Sequence, residues 1–152
     1  MDSVYKLLDK LKTHIRSGDF TKKVTEGDLS SVDLDKHNIY PLAHIKIDAA
    51  RIEQSTITFT VKILAADIVD WSQDNTGDDV FYGNDNLQDV LNTQLQVINR
   101  IFMFLRKGDL RDEGYETDEF VRAIPFRERF EMSLAGWRAD FTIRILNDFA
   151  IC

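Results

Sequence analysis

The sequence predicts an α+β fold, a two-layer sandwich in which an antiparallel sheet of two long β-hairpins carries two main helices on one face. Three observations carry that prediction: stretches of apolar–polar alternation, segments with apolar residues at helical spacing, and short connections between paired strands. The 152 residues suit a single domain, 1–152, and 43% hydrophobic with 11% aromatic content is enough to fill its core.

The elements follow in chain order. Val4, Leu7, Leu8, Leu11 and Ile15 share one helix face, predicting an N-terminal helix over about 3–17 with Asp2 or Ser3 as cap and Gly18 as stop. Asp19 to Asp35 has no period and reads as a loop. A hairpin is expected over about 38–69. In its first strand Ile39, Ala43, Ile45 and Ile47 share a parity, and Pro41, lacking an N–H, places the start at an edge or bulge. In its second, Ile57, Phe59, Val61, Ile63 and Ala65 alternate with Thr56, Thr58, Thr60 and Lys62. An acidic loop covers about 70–85, and a long helix about 86–107, marked by Leu87, Val90, Leu91, Gln94, Ile98, Ile101, Phe102 and Leu105.

The second hairpin is expected over about 120–147. Phe126, Phe130 and Met132 alternate with Arg127, Arg129 and Glu131, then Trp137, Ala139, Phe141, Ile143 and Ile145 alternate with Arg138, Asp140, Thr142 and Arg144. The turn is expected around Leu134 to Gly136. A 13-residue strand spans about 43 Å, against a diameter of about 38 Å for a globule of this size. The hairpins therefore either project from the body or bend and bulge within it. Projecting edges template association, which points to an assembly subunit.

Charge is unevenly placed. Against 19 Lys+Arg there are 26 Asp+Glu, a net charge of -7. No basic residue lies between Lys62 and Arg100, where Asp67, Asp70, Asp74, Asp78, Asp79, Asp85 and Asp89 account for the whole imbalance. The absence of a Lys/Arg run argues against specific binding of nucleic acid or anionic lipid. The one cysteine, Cys152, excludes an intrachain disulfide and a cysteine-based metal cluster. No apolar run approaches the roughly 20 residues that span a bilayer, and Met1 to Lys12 lacks the apolar core of a secretory signal, so a soluble, cytoplasmically made protein is expected.

Catalytic chemistry finds little support. His14, His37 and His44 stand in no metal-ligand spacing, and His44 has the polar parity of its strand, as a solvated residue would. Phosphate-binding glycine loops and nucleophile elbows are absent. Asp70, Ser72 and Asp74 begin an EF-hand-like spacing that fails at Asn75, where glycine is needed, and at Phe81, where glutamate is needed. Asp74, Asp78 and Asp79 could form an irregular cation site, but a solvated acidic loop is the simpler reading. No catalytic, cofactor or metal residue is therefore assigned. Glu128 and Glu131, alternating with Arg127 and Arg129 opposite Arg138, Asp140 and Arg144, read as a cross-strand charged ladder on a solvent or subunit face. The aromatic residues Trp71, Phe81 and Tyr82 of the acidic loop, and Tyr115 and Phe120 of the next loop, either cover the core or anchor a partner. The candidate interface comprises Trp71, Asp74, Asp78, Asp79, Phe81, Tyr82, Tyr115, Arg127, Arg129 and Arg138.

Four segments carry a resemblance: HNIYPLAHI from His37, FTVKILAADIVD from Phe59, NLQDVLNTQLQVINRI from Asn86, and PFRERFEMSLAGWRADFTIRILNDFAIC from Pro125. Over about 100 residues, both hairpins and the long helix, the chain resembles small neck and tail structural proteins of tailed bacteriophages, of the tail-terminator or tail-completion kind. The resemblance implies a non-enzymatic virion subunit, made in the host cytoplasm and needing no cofactor. It implies a homo-oligomeric ring, a hexamer or dodecamer, between head connector and tail tube, with DNA passing through the ring. It also leaves open another neck or head–tail connector protein, or an assembly chaperone that stays outside the particle. An acidic lumen lining or a basic docking partner would each use the stretch from Asp67 to Asp89.

Overall fold

The structure, a computed structural model, describes residues 3–18, 20–28, 39–69, 87–108, 114–129 and 133–147. Helix α1 spans Ser3–Ser17 and strand β1 Lys23–Glu26; β2 is Leu42–Ile52 and β3 Thr56–Ile68. Helix α2 spans Leu87–Lys107, followed by β4, Glu116–Thr117, β5, Ala123–Arg129, and β6, Ser133–Leu146. The fold is α+β, with six strands in one mostly antiparallel sheet and both helices packed on one face.

Alternation decides which face that is. Ile57, Phe59, Val61, Ile63 and Ala65 of β3, with Ala139, Phe141 and Ile143 of β6, are buried against Leu7, Leu11 and Ile15 of α1 and Val97, Ile98, Ile101 and Leu105 of α2. Burying each of these larger side chains contributes about 1.5–3 kcal/mol. Polar bonds then set the helix positions: Trp137 Nε1 donates to the Leu91 carbonyl at 2.7 Å, and Arg106 Nη1 to that of Thr117 at 3.2 Å. His14 stacks on Phe104 with ring centroids 3.7 Å apart and bonds the Arg100 carbonyl through Nε2, so this histidine joins α1 to α2.

The sheet order is β1-β2-β3-β6, with β4 and β5 end to end along the far edge of β6. From Thr117↔Ile143 to Ala123↔Ala139 the outer chain advances six residues while β6 advances four, so β4 and β5 are one edge strand broken by a local excess. The first hairpin forms as its alternation predicts, with a register shift between Ile47 and Ala49 that supplies the expected bulge. Beyond it Asp48–Ile52 are exposed, whereas β3 stays covered because β6 pairs along its whole length.

Four expectations are corrected. The segment 19–35 is not all loop: β1 lies within it, parallel to β2, and its single core side chain, Val24, gave no alternation to read. Pro41 does not start an edge strand; β2 begins after it and lies between β1 and β3, while the Pro41 carbonyl accepts from the Lys22 and Lys23 amides. Leu134 to Gly136 are not a turn but part of β6, paired with β3 and β5 on its two sides. With the strands joined earlier, through 130–132, the register moves, and the charged ladder does not form as read. Arg127 faces Ala135, Arg138 faces Ile124, and Arg144 faces Glu116 while pairing with Asp118.

One polar side chain is out of place in the core. Gln94, on the buried face of α2, is 1% exposed, and among the described residues neither its Oε1 nor its Nε2 has a hydrogen-bond partner. Such a group carries its desolvation cost uncompensated. Gln94→Met, similar in length and apolar, is expected to raise unfolding free energy by about 1–2 kcal/mol, read as a higher urea midpoint at unchanged slope.

Candidate functional site

The face of the sheet turned away from the helices is the most distinctive surface. Its side chains form rows fixed by the strand register. One row reads Leu42, Ala66, Gly136 and Phe126, which with Ile39, Tyr40 and Leu134 make a small apolar cluster. The next reads Thr25, His44, Leu64, Arg138 and Ile124, and the one after it Lys46, Lys62 and Asp140. Over these two rows lies a groove of about 350 Å³, which Arg122 also lines.

Its chemistry is cationic with an aliphatic edge. Lys46 and Lys62 stand directly opposite each other on β2 and β3, a like-charge pair that costs stability unless countered. Lys46 reaches Asp28 at 3.3 Å and Lys62 reaches Asp48 at 4.0 Å, both solvent-exposed pairs of small energy. Among the described residues Arg122 and Arg138 pair with no carboxylate. The groove is thus lined by four cations and the carboxylate of Asp140, with Asp28 and Asp48 paired to its two lysines, which leaves one positive charge in excess. Ile124 is 41% exposed beside it.

His44 forms the floor of this groove, contrary to the solvated position expected for it. It is 4% exposed, flanked by β1 and β3 and held against Thr25 and Gly27. Nε2 lies 2.7 Å from the Gly27 carbonyl and must donate to it; in the neutral ring Nδ1 accepts from the Thr25 hydroxyl at 2.8 Å. Both nitrogens are engaged in holding β1 to β2, which leaves neither for proton transfer to a ligand. Among the described residues no three His, Cys, Asp or Glu side chains gather as metal ligands, and no helix is long and apolar enough to cross a membrane.

The sequence-derived interface divides. Arg138 is exposed in the groove, Arg127 is exposed on β5, and the Arg129 backbone pairs with Ser133. Tyr115 is corrected: at 5% exposed it belongs to the main core, covered by its own chain, whereas Phe120 is 79% exposed. Trp71, Asp74, Asp78, Asp79, Phe81 and Tyr82 lie outside the described residues. Lys46, Lys62 and Arg122 were missed as a group. The shared polar parity of the two lysines was readable, but their alignment depends on the hairpin register, and Arg122 comes from a distant edge.

Of the acidic stretch, Asp89, exposed in the first turn of α2, and Asp67 are described. Burial lifts the Asp67 carboxyl above the ordinary 3.8, although the Ile68 amide donates to Oδ1 at 2.7 Å and opposes the rise. A carboxyl with a raised folded-state pKa binds its proton more tightly when folded. Its contribution is thus favourable at low pH and is lost as pH rises through the folded value. Asp67→Asn, which keeps an acceptor for Ile68, is expected to raise stability at neutral pH and to flatten part of the decline as pH rises above the ordinary carboxyl value of 3.8, measured by urea unfolding.

No protein-family model matches the chain, and no curated protein matches it.

Proposed function

We propose that the protein is a non-enzymatic structural subunit of a tailed-bacteriophage virion, a ring-forming tail-terminator or tail-completion protein that joins the neck to the tail. The observation that carries this reading is the sheet face turned away from the helices, where among the described residues cations and exposed aliphatic carbon lie together over β2, β3 and β6. That mixture is the chemistry of a protein contact, and a contact between unlike surfaces of identical subunits generates rings when the rotation closes. The segments that resemble the phage proteins support it, because they supply most of β3, α2, β5 and β6. The outward face of α2 supports it too: Leu95 and Met103 are exposed there among Gln88, Asn92, Gln96 and Asn99, with the exposed charges of Asp89, Arg100 and Lys107 along one side. An amide-rich strip with a charged rim suits burial against a neighbour.

The test is the composition and reconstruction of purified particles. The subunit is expected in the virion, as a ring at the head–tail junction. Its absence from particles that need it for assembly would transfer the role to a chaperone, and a monomer elsewhere in the virion would exclude the ring.

A further inference from the structure

We propose that the groove of Lys46, Lys62, Arg122 and Arg138 receives the acidic segment 70–86 of a neighbouring copy, so that each subunit presents the two unlike halves of one repeated contact. This inference rests on the self-association proposed above and names the surfaces that make it.

Charge complementarity is the first support. Of the four cations of the groove, Arg122 and Arg138 pair with no carboxylate among the described residues, while the segment 70–86 contains Asp70, Asp74, Asp78, Asp79 and Asp85 and no Lys or Arg. The sign of each surface is wrong for binding its own kind and right for binding the other. Apolar groups are available on both sides as well: Ile124 edges the groove, and Trp71, Phe81 and Tyr82 lie among the acids.

The anchoring of the segment is the second support. Val69 and Leu87, its flanking residues, both pack in one cluster with Val90, Leu91 and Ala135, at the helix side of one end of the sheet. The groove lies on the opposite face, over the rows of His44 and Lys46. The two residues that flank the segment thus stand on the sheet face opposite the groove, as a contact between the helix side of one copy and the open face of the next requires. Helix side to open face is a heterologous contact, which propagates in one direction and gives a ring when the rotation between copies closes.

The experiment uses two full-length variants, with circular dichroism confirming folding. Lys62→Glu with Arg138→Glu reverses the groove at exposed positions. Asp74→Asn with Asp78→Asn and Asp79→Asn neutralises the segment. In sedimentation velocity, each variant alone is expected to self-associate at least about tenfold more weakly than the unmodified protein. An equimolar mixture is expected to form heterodimers that neither variant forms alone, because one intact groove then meets one intact segment. Association of the unmodified protein is expected to weaken with added salt. Undiminished association of both variants overturns the proposal while leaving self-association standing. Weakened variants that do not complement on mixing overturn the neighbouring copy as the occupant. An unmodified protein that stays monomeric removes the proposal together with the ring.

Discussion

Gly136→Ala is expected to destabilise the protein by about 3 kcal/mol or more, a fall of more than about a hundredfold in the ratio of folded to unfolded protein. Gly136 sits in β6 opposite Ala66 of β3 and Phe126 of β5. A β-carbon there would overlap the Ala65 carbonyl oxygen and lie 2.9 Å from both the Ala65 carbonyl carbon and the Ala66 Cα. These are backbone atoms of a strand held between β2 and β6, so no flexible side chain can yield. Relief requires the β3–β6 ladder to part where α2 rests on it. Gly114 is the natural control. Its φ of +92° strains an alanine, but a β-carbon there meets nothing within 4 Å, so Gly114→Ala is expected to cost only about 1 kcal/mol. Equal urea midpoints for the two variants would remove the close approach of β3 and β6 from the account.

His44→Leu is expected to cost about 2–3 kcal/mol, although it replaces a polar side chain by an apolar one in a buried place. The loss lies in the partners left behind, since the Gly27 carbonyl and the Thr25 hydroxyl would keep their desolvation without their bonds. The damage should be local as well as global. Strand β1 is four residues long and lies at the sheet edge, held by the parallel ladder and by bonds such as Gly27 N to the Ile45 carbonyl at 3.0 Å. Hydrogen exchange should therefore show loss of protection at Gly27 before β3 or β6 is affected. Unchanged protection there would mean that the imidazole is not what fastens β1.

How legible each part was in the sequence follows from how many residues each signal spans. Strands β3 and β6 and both helices were readable because each repeats its apolar period over several turns or pleats, with only one burial solution. Strands β1 and β4 were not, because Val24 and Thr117 stand alone as core positions in segments of four and two residues. The second hairpin shows a different limit. Leu134, Ala135 and Gly136 resemble a turn in composition, but they form buried strand because β5 and β3 flank them and Gly136 admits the close approach. Site residues depended on register. Arg138 could be singled out by type and parity, but only the observed pairing brings it beside Leu64 and Ile124, one row from Lys62. The buried state of Tyr115 was undecidable from a loop aromatic alone, since covering the core and anchoring a partner require the same residue type.

The central claim is that this chain works as an assembled ring whose copies meet through unlike surfaces. Multi-angle light scattering on the full-length protein, alone and mixed with neck and tail-tube proteins, tests it most directly. The account predicts one closed species at an integral multiple of 17.6 kDa, stable at low salt and loosened at high salt. A species of 17.6 kDa under every one of those conditions would contradict it.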